Sequence, residues 1–168
     1  MKEISKNPYT ANFATVRHES DRGCVLLVAA FFDNLLANIL KQAISPNVRN
    51  DPSAKKFFEG LFGDRGPLYG FANKIKIAYA FKLISKEQFL AINVIRELRN
   101  EAAHKNFHFT LENKGVKIHL KKLNDYEDVV SYSELRDGKA TAKGSFVDAT
   151  SNLFFQIFDK MVEGFEVR

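Results

Sequence analysis

The chain has a single cysteine, Cys24, among its 168 residues. One cysteine cannot form an internal disulfide, and Cys24 has no neighbouring metal-ligating residues, which fits a reducing cytoplasm. It lies in an apolar run, where we expect a buried structural thiol and not a nucleophile. The histidines His18, His108 and His119 also lack the spacing of metal ligands. We therefore expect neither a metal nor a cofactor.

A continuous apolar stretch is missing from the N-terminal segment MKEISKNPYTANF, so a secretory signal is not expected. Residues 24–40 are mostly apolar, but Asp33, Asn34 and Asn38 interrupt them. A charge at the centre of such a run would be costly in lipid. The run therefore predicts a buried helix of a soluble, cytoplasmic protein that does not enter a membrane. The sequence also lacks repeats, low-complexity tracts and long linkers.

What the chain does contain is enough apolar side-chain surface for a packed core. Apolar residues make up 45% of the sequence, and 16 residues are Phe, which predicts a folded domain and not a disordered chain. The formal net charge of +5 and the pI near 9.3 favour a polyanionic partner such as nucleic acid. Lysines and arginines are spread along the chain, however, so a mildly basic protein without a nucleic-acid role fits equally well.

Apolar residues at helical spacing predict several helices. Ser20 or Asp21 is suited to cap a long helix that ends near residue 43. Ser85 and Gln88 form a capping box before a helix that runs from about residue 86 to residue 104. The other predicted helices cover about residues 10–17, 53–62, 68–83 and 141–164.

The apolar period changes to two after His104. Two sets of apolar residues alternate with polar ones: Phe107, Phe109 and Leu111, then Val116, Ile118 and Leu120. Turn-forming residues 112–115 separate them, so the sequence predicts a β-hairpin over about residues 106–122. The predicted fold class is mainly α, a helical bundle with a small β-hairpin after the fourth main helix. We expect residues 20–168 to form one domain behind a loose N-terminal arm of residues 1–19.

The segment from Arg99 to His104 combines a guanidinium, a carboxamide and an imidazole. Asn100 and His104 are four residues apart and share a helix face, whereas Arg99 and His104 lie about 140° apart around the helix. An imidazole beside a fixed cation offers the proton transfer and charge stabilisation that phosphodiester cleavage needs. Arg99, Asn100 and His104 are therefore candidate catalytic residues. In the alternative interpretation, Asn100 and His104 cap the helix and Arg99 pairs with a buried acid.

Asp33 is the acid expected to make that pair. Its apolar surroundings predict a buried carboxylate, which needs a cationic partner. Lys74, Arg96 and Arg99 are the candidate cations. We expect a structural ion pair between Asp33 and Arg99 that joins two helices.

Basic residues also follow the predicted hairpin. Lys117, His119 and Lys121 alternate on the side away from the core, which suits contacts with a nucleic-acid backbone. The alternative is a solvated edge that resists aggregation. Because no helix-turn-helix, zinc finger or basic zipper is visible, we do not expect unaided sequence-specific DNA binding. The segment GDRGPL at residues 63–68 lacks the Gly-Lys-Ser/Thr ending of a nucleotide P-loop and predicts a turn.

Three segments resemble the mannitol operon repressor (MltR) family: DRGCVLLVAA at residues 21–30 with Leu35 and Leu36, GPLYGFANKIKIAY at residues 66–79, and RELRNEAAH at residues 96–104. The resemblance covers about residues 20–110. It implies an all-helical, cytoplasmic bacterial protein that regulates transcription. It also implies action through other proteins, since members of the family lack a recognisable DNA-binding motif.

The residues Arg99, Asn100 and His104 also resemble the Arg-x4-His motif of HEPN domains. These domains are helical bundles, often dimeric, and many are metal-independent ribonucleases. The resemblance implies that His104 is a general acid or base, that Arg99 stabilises phosphate charge, and that Asn100 orients either one.

Our leading interpretation is a transcriptional regulator or co-repressor of the mannitol-repressor type. It is a homodimer that acts through an unknown regulatory protein partner and not as an enzyme. The alternative is a HEPN-like, metal-independent ribonuclease or RNA-binding protein that uses Arg99, Asn100 and His104.

Overall fold

The computed structural model of the chain describes residues 8–44, 52–104, 108–124 and 141–166. These residues form seven helices and no β-strand. The helices are α1 (Pro8–Val16), α2 (Asp21–Ala43), α3 (Pro52–Phe62), α4 (Phe71–Ala80), α5 (Lys86–His104), α6 (Lys114–Asn124) and α7 (Ala142–Glu166). The predicted helical bundle is therefore confirmed. Helix α4 is shorter at both ends than the predicted helix over residues 68–83, because residues 63–70 form turns before it begins and residues 81–82 form a turn after it ends.

Helices α2 and α5 each begin directly after a residue that caps them. The Ser20 hydroxyl accepts a hydrogen bond from the Gly23 N–H at the start of α2. The predicted capping box of α5 is present: the Ser85 N–H donates to Gln88 Oε1 over 2.9 Å, and the Gln88 N–H donates to Ser85 Oγ over 3.1 Å. These bonds satisfy N–H groups that a helix end leaves without a partner.

Helix α2 is the central core helix. It contacts α1, α4, α5 and α7, and one face of it is fully buried. By length and composition α2 could cross a membrane, but half of its most apolar window is buried inside the fold. Cys24 lies on the buried face, and burial raises the pKa of its thiol to about 12. The prediction of a buried, structural cysteine is thus confirmed.

The described part of the N-terminal arm is packed against the core. Phe13 is 4% exposed, and its ring contacts those of Phe31, Phe154 and Phe155 at centroid distances of 5.4, 5.4 and 5.9 Å. Helix α1 therefore contributes to the same core as α2 and α7 and does not behave as a loose arm.

The predicted β-hairpin is wrong. Residues 108–110 have no regular secondary structure, residues 114–124 form α6, and residues 105–107 lie outside the described part of the chain. Val116, Leu120 and Leu123 are buried, and this spacing is helical, whereas Ile118 is 60% exposed. The Asn113 side chain caps the helix by accepting a hydrogen bond from the Gly115 N–H. The helical period and this cap therefore prevail over the alternation of apolar residues.

Asp21 ties the segment before α6 to the start of α2. Its Oδ2 accepts hydrogen bonds of 2.9 Å from the Leu111 N–H and from the Thr110 hydroxyl, and Lys143 Nζ lies 3.3 Å from Oδ1. Partial burial raises the pKa of Asp21, but the bonds from Leu111, Thr110 and Lys143 outweigh it and hold the pKa below its ordinary value. The carboxylate thus joins α2, α7 and the approach to α6.

Candidate functional site

A groove of about 780 Å³ lies between α2, the start of α4 and α5. Helix α2 lines it with Ala29, Ala30 and Ala37. These small side chains leave space where longer ones would fill the gap between the helices. The groove is open to solvent, and basic and polar side chains from α4 and α5 complete it.

An ion pair between Lys74 and Asp33 lies in this groove. Lys74 Nζ donates to both Asp33 oxygens, at 2.8 and 2.9 Å, and to the Tyr69 carbonyl at 3.0 Å. The expected pair of Asp33 with Arg99 is therefore wrong in its cation, although a helix-to-helix ion pair of Asp33 exists. Lys74 is one of the three cations that the sequence offered as partners of Asp33.

The degree of burial explains why Asp33 pairs with Lys74 and not with Arg99. Lys74 is only 6% exposed, so its ammonium group has lost its hydration and needs an anion close by. Arg99 is exposed and keeps its charge in water without such a partner. The buried cation therefore gains more from Asp33 than the exposed one would.

Helix α5 supplies the basic wall of the groove. Arg96, Arg99 and Asn100 line it, at positions i, i+3 and i+4 of one helix face. Arg99 Nη1 donates to Asn100 Oδ1 over 3.2 Å, and Arg96 Nε donates to Asn93 Oδ1 over 3.2 Å. Amide oxygens thus hold both guanidinium groups in place.

The charge of these two arginines is neutralised only slightly. Arg96 Nη2 lies 3.8 Å from Glu97 Oε1, which is a long, solvent-exposed contact of small energetic value. Within the described ranges no carboxylate oxygen comes within 4 Å of Arg99. The α5 wall can therefore attract an anion.

The structure brings Arg99 and Asn100 together in the groove but places His104 elsewhere. His104 is the last residue of α5, is exposed, and does not line the groove. No hydrogen bond joins it to Arg99 or Asn100 in the part of the chain that the structure describes. The catalytic roles suggested for these three residues stay a prediction.

The aromatic side of the groove was not predicted from the sequence. Phe62, Tyr69 and Phe71 line it, and they are brought there by the turns that join α3 to α4. The Leu68 N–H donates to the Leu61 carbonyl over 2.8 Å, so the chain folds back on the end of α3. Gly66 permits this approach, because a Cβ at this position would lie 2.2 Å from the Gly60 carbonyl oxygen.

The basic residues predicted to share a hairpin face are separated by the helix. Lys117 and Lys121 are one turn apart on the exposed side of α6, whereas His119 is turned towards α5. Its Nδ1 lies 3.5 Å from Glu97 Oε2 without a hydrogen bond. Lys117 pairs with Glu112 at 2.6 Å. Nucleic-acid binding by Lys117, His119 and Lys121 as one face is therefore not supported by the geometry, because alternation places residues together only on a strand.

Over the residues that the structure describes, the chain is a helical bundle with a groove beside its central helix that has a basic wall. No family model matches the chain, and no curated protein matches it. The chain is similar in structure to one described as the MtlR–HPr complex from Escherichia coli, with a TM-score of 0.67 and 14% sequence identity. The similarity covers 88% of this chain and 98% of the neighbour's chain. At this identity the similarity shows the fold alone.

Proposed function

We propose that this protein is a regulator that acts by binding another protein. The observation that carries the proposal is the similarity of the whole bundle to MtlR, a protein whose structure was solved in complex with HPr. The sequence resemblance to the mannitol operon repressor family over about residues 20–110 supports the same function. We further propose that the protein is a cytoplasmic, bacterial homodimer and that the process it regulates is transcription.

The first test is binding to an HPr protein. We expect the full chain and the HPr of the same bacterium to form a saturable complex in isothermal titration calorimetry. Of the exposed large apolar side chains in the described ranges, the three most exposed suit contacts with a partner: Phe57, Phe81 and Ile118. Each is replaced with serine in a separate variant. The variant that removes a side chain covered by the partner should bind about tenfold more weakly or worse.

The control is Lys55→Ser, since Lys55 is an exposed residue of α3 whose only described ion pair, with Glu59, is a 4.0 Å surface contact. It should leave both the melting temperature and HPr binding unchanged. A titration without heat or saturation would contradict HPr as the partner. Light scattering on the same samples tests the homodimer, which should have about twice the chain mass of 19.1 kDa.

Our second proposal is an RNA-cleaving or RNA-binding protein of the HEPN type. It is favoured by Arg99 and Asn100, which line the same basic groove. In metal-free incubation with labelled single-stranded RNA and a transfer-RNA pool, such an enzyme should cleave, and His104→Ala should slow cleavage by about 100-fold. Arg99→Ala should slow it as well, because phosphate charge loses its stabilisation.

The matched control for these variants is Arg65→Ala, which removes an exposed arginine outside the groove. It should cleave like the wild type. Cleavage that survives in His104→Ala would contradict the proposed acid–base role. An absence of both cleavage and RNA binding in the wild type, with all variants folded, would leave the protein-binding proposal alone.

A further inference from the structure

We propose that the groove between α2, α4 and α5 binds a small phosphate monoester. Its phosphate would lie at Arg96 and Arg99, and its uncharged part would lie against Tyr69 and Phe71. This inference goes beyond the proposed regulatory function and does not rest on it. It rests on the charge, the donors and the shape of the groove.

The charge of the groove is positive. Its lining holds four basic side chains, Lys41, Lys74, Arg96 and Arg99, and one acidic side chain, Asp33. The Asp33 carboxylate is already used, because both of its oxygens accept from Lys74. An incoming ligand therefore meets Arg96 and Arg99, whose charge Asp33 does not cancel. Such a groove favours an anion and disfavours a cation.

The donors on α5 match a phosphate group in particular. Guanidinium groups present a planar set of N–H donors that fits two phosphate oxygens at once. Arg96 and Arg99 are three residues apart, so their side chains emerge side by side on the helix. Asn100 accepts from Arg99 with Oδ1 and keeps its two amide N–H donors for a ligand. Together, Arg96, Arg99 and Asn100 supply more N–H donors than a single carboxylate group of a ligand would use.

The shape of the groove suits a small molecule. Its volume of about 780 Å³ falls within the range of about 300–1,000 Å³ that is usual for ligand pockets. Tyr69 is 56% exposed and, with Phe71, offers an apolar surface in the same groove as the basic wall. Cleavage of an RNA strand in the groove would also need a proton-transfer group, yet His104 lies outside the groove. The lining therefore favours the binding of a small phosphate ester over the cleavage of RNA.

The test uses phenyl phosphate, inorganic phosphate, phenol and benzoate as probes of the full chain in isothermal titration calorimetry at low salt. Phenyl phosphate should bind most tightly, because it alone combines a dianion with a ring. Arg99→Gln should weaken its binding by about tenfold or more. Arg65→Gln, which makes the same chemical change outside the groove, should leave binding unchanged.

A second variant separates the two parts of the site. Tyr69→Ala should weaken the binding of phenyl phosphate and leave that of inorganic phosphate unchanged. Equal affinities of the wild type and Arg99→Gln for phenyl phosphate would overturn the proposal. So would benzoate binding as tightly as phenyl phosphate, since the site would then not select a dianion. Arg99-dependent binding of a short single-stranded RNA without binding of phenyl phosphate would also overturn it, in favour of RNA.

Discussion

Asp33→Asn is expected to lower the free energy of unfolding by about 3–5 kcal/mol, more than Lys74→Met lowers it. Both substitutions remove the same ion pair, but they leave different groups behind. Asp33→Asn leaves the ammonium group of Lys74, whose side chain is only 7% exposed, without a carboxylate. Lys74→Met leaves the carboxylate of Asp33, whose side chain is 32% exposed and can be hydrated. The second loss should be about 1–2 kcal/mol.

Urea denaturation followed by circular dichroism at neutral pH measures this difference. The control is Lys76→Met, which makes the same change at an exposed position of α4 and should have little effect. The double variant Asp33→Asn, Lys74→Met should be more stable than Asp33→Asn alone, because no buried charge is then left without a partner. Equal losses for the two single variants would show that the desolvation of Lys74 does not govern the pair.

The parts of the fold that sequence analysis predicted correctly have strong local signals. Helix α5 begins after a capping box made by Ser85 and Gln88, and both of its hydrogen bonds are present. Helix α2 begins after the Ser20 cap, and its apolar run has no competing period. In both cases the residues that define the helix lie within a few positions of each other, so the sequence alone carries the information.

The error at α6 arose because its apolar residues fit two periods. Val116 and Leu120 are two apart from Ile118, as in a strand, but they are also four apart from each other, as in a helix. Leu123 completes the helical set, and its burial depends on packing against other parts of the bundle. Such long-range packing overrides local alternation and is not visible in the segment itself.

The candidate site was predictable to a similar, limited extent. The apolar surroundings of Asp33 predicted that it needs a cation, but choosing Lys74 required knowledge of where α4 crosses α2, a contact between residues 41 positions apart. Helical spacing predicted that Asn100 shares a face with His104, but in the structure Asn100 lines the groove with Arg96 and Arg99, and His104 lies outside it. Tyr69 and Phe71 reach the groove only through the turns after α3, which no periodic pattern describes.

Phe154→Ala is expected to lower the free energy of unfolding by about 3–5 kcal/mol. Phe154 is fully buried and joins three helices through ring contacts. Its centroid distances are 5.4 Å to Phe13 of α1, 5.6 Å to Phe32 of α2 and 6.3 Å to Phe158 of α7. Truncation would remove apolar contacts on all three sides and leave a cavity that these helices cannot close without moving.

The matched control is Phe57→Ala, because Phe57 is 69% exposed and its loss should change stability by no more than about 0.5 kcal/mol. Both variants are compared with the wild type in the same urea titration. The same titration also tests whether α1 belongs to the core. Phe13→Ala should be clearly destabilising. The double variant Phe13→Ala, Phe154→Ala should lose less free energy of unfolding than the sum of the two single losses, since the two rings touch each other. A loss below about 1 kcal/mol for Phe154→Ala would contradict a core shared by α1, α2 and α7, because a buried ring that joins three helices cannot be removed at so small a cost.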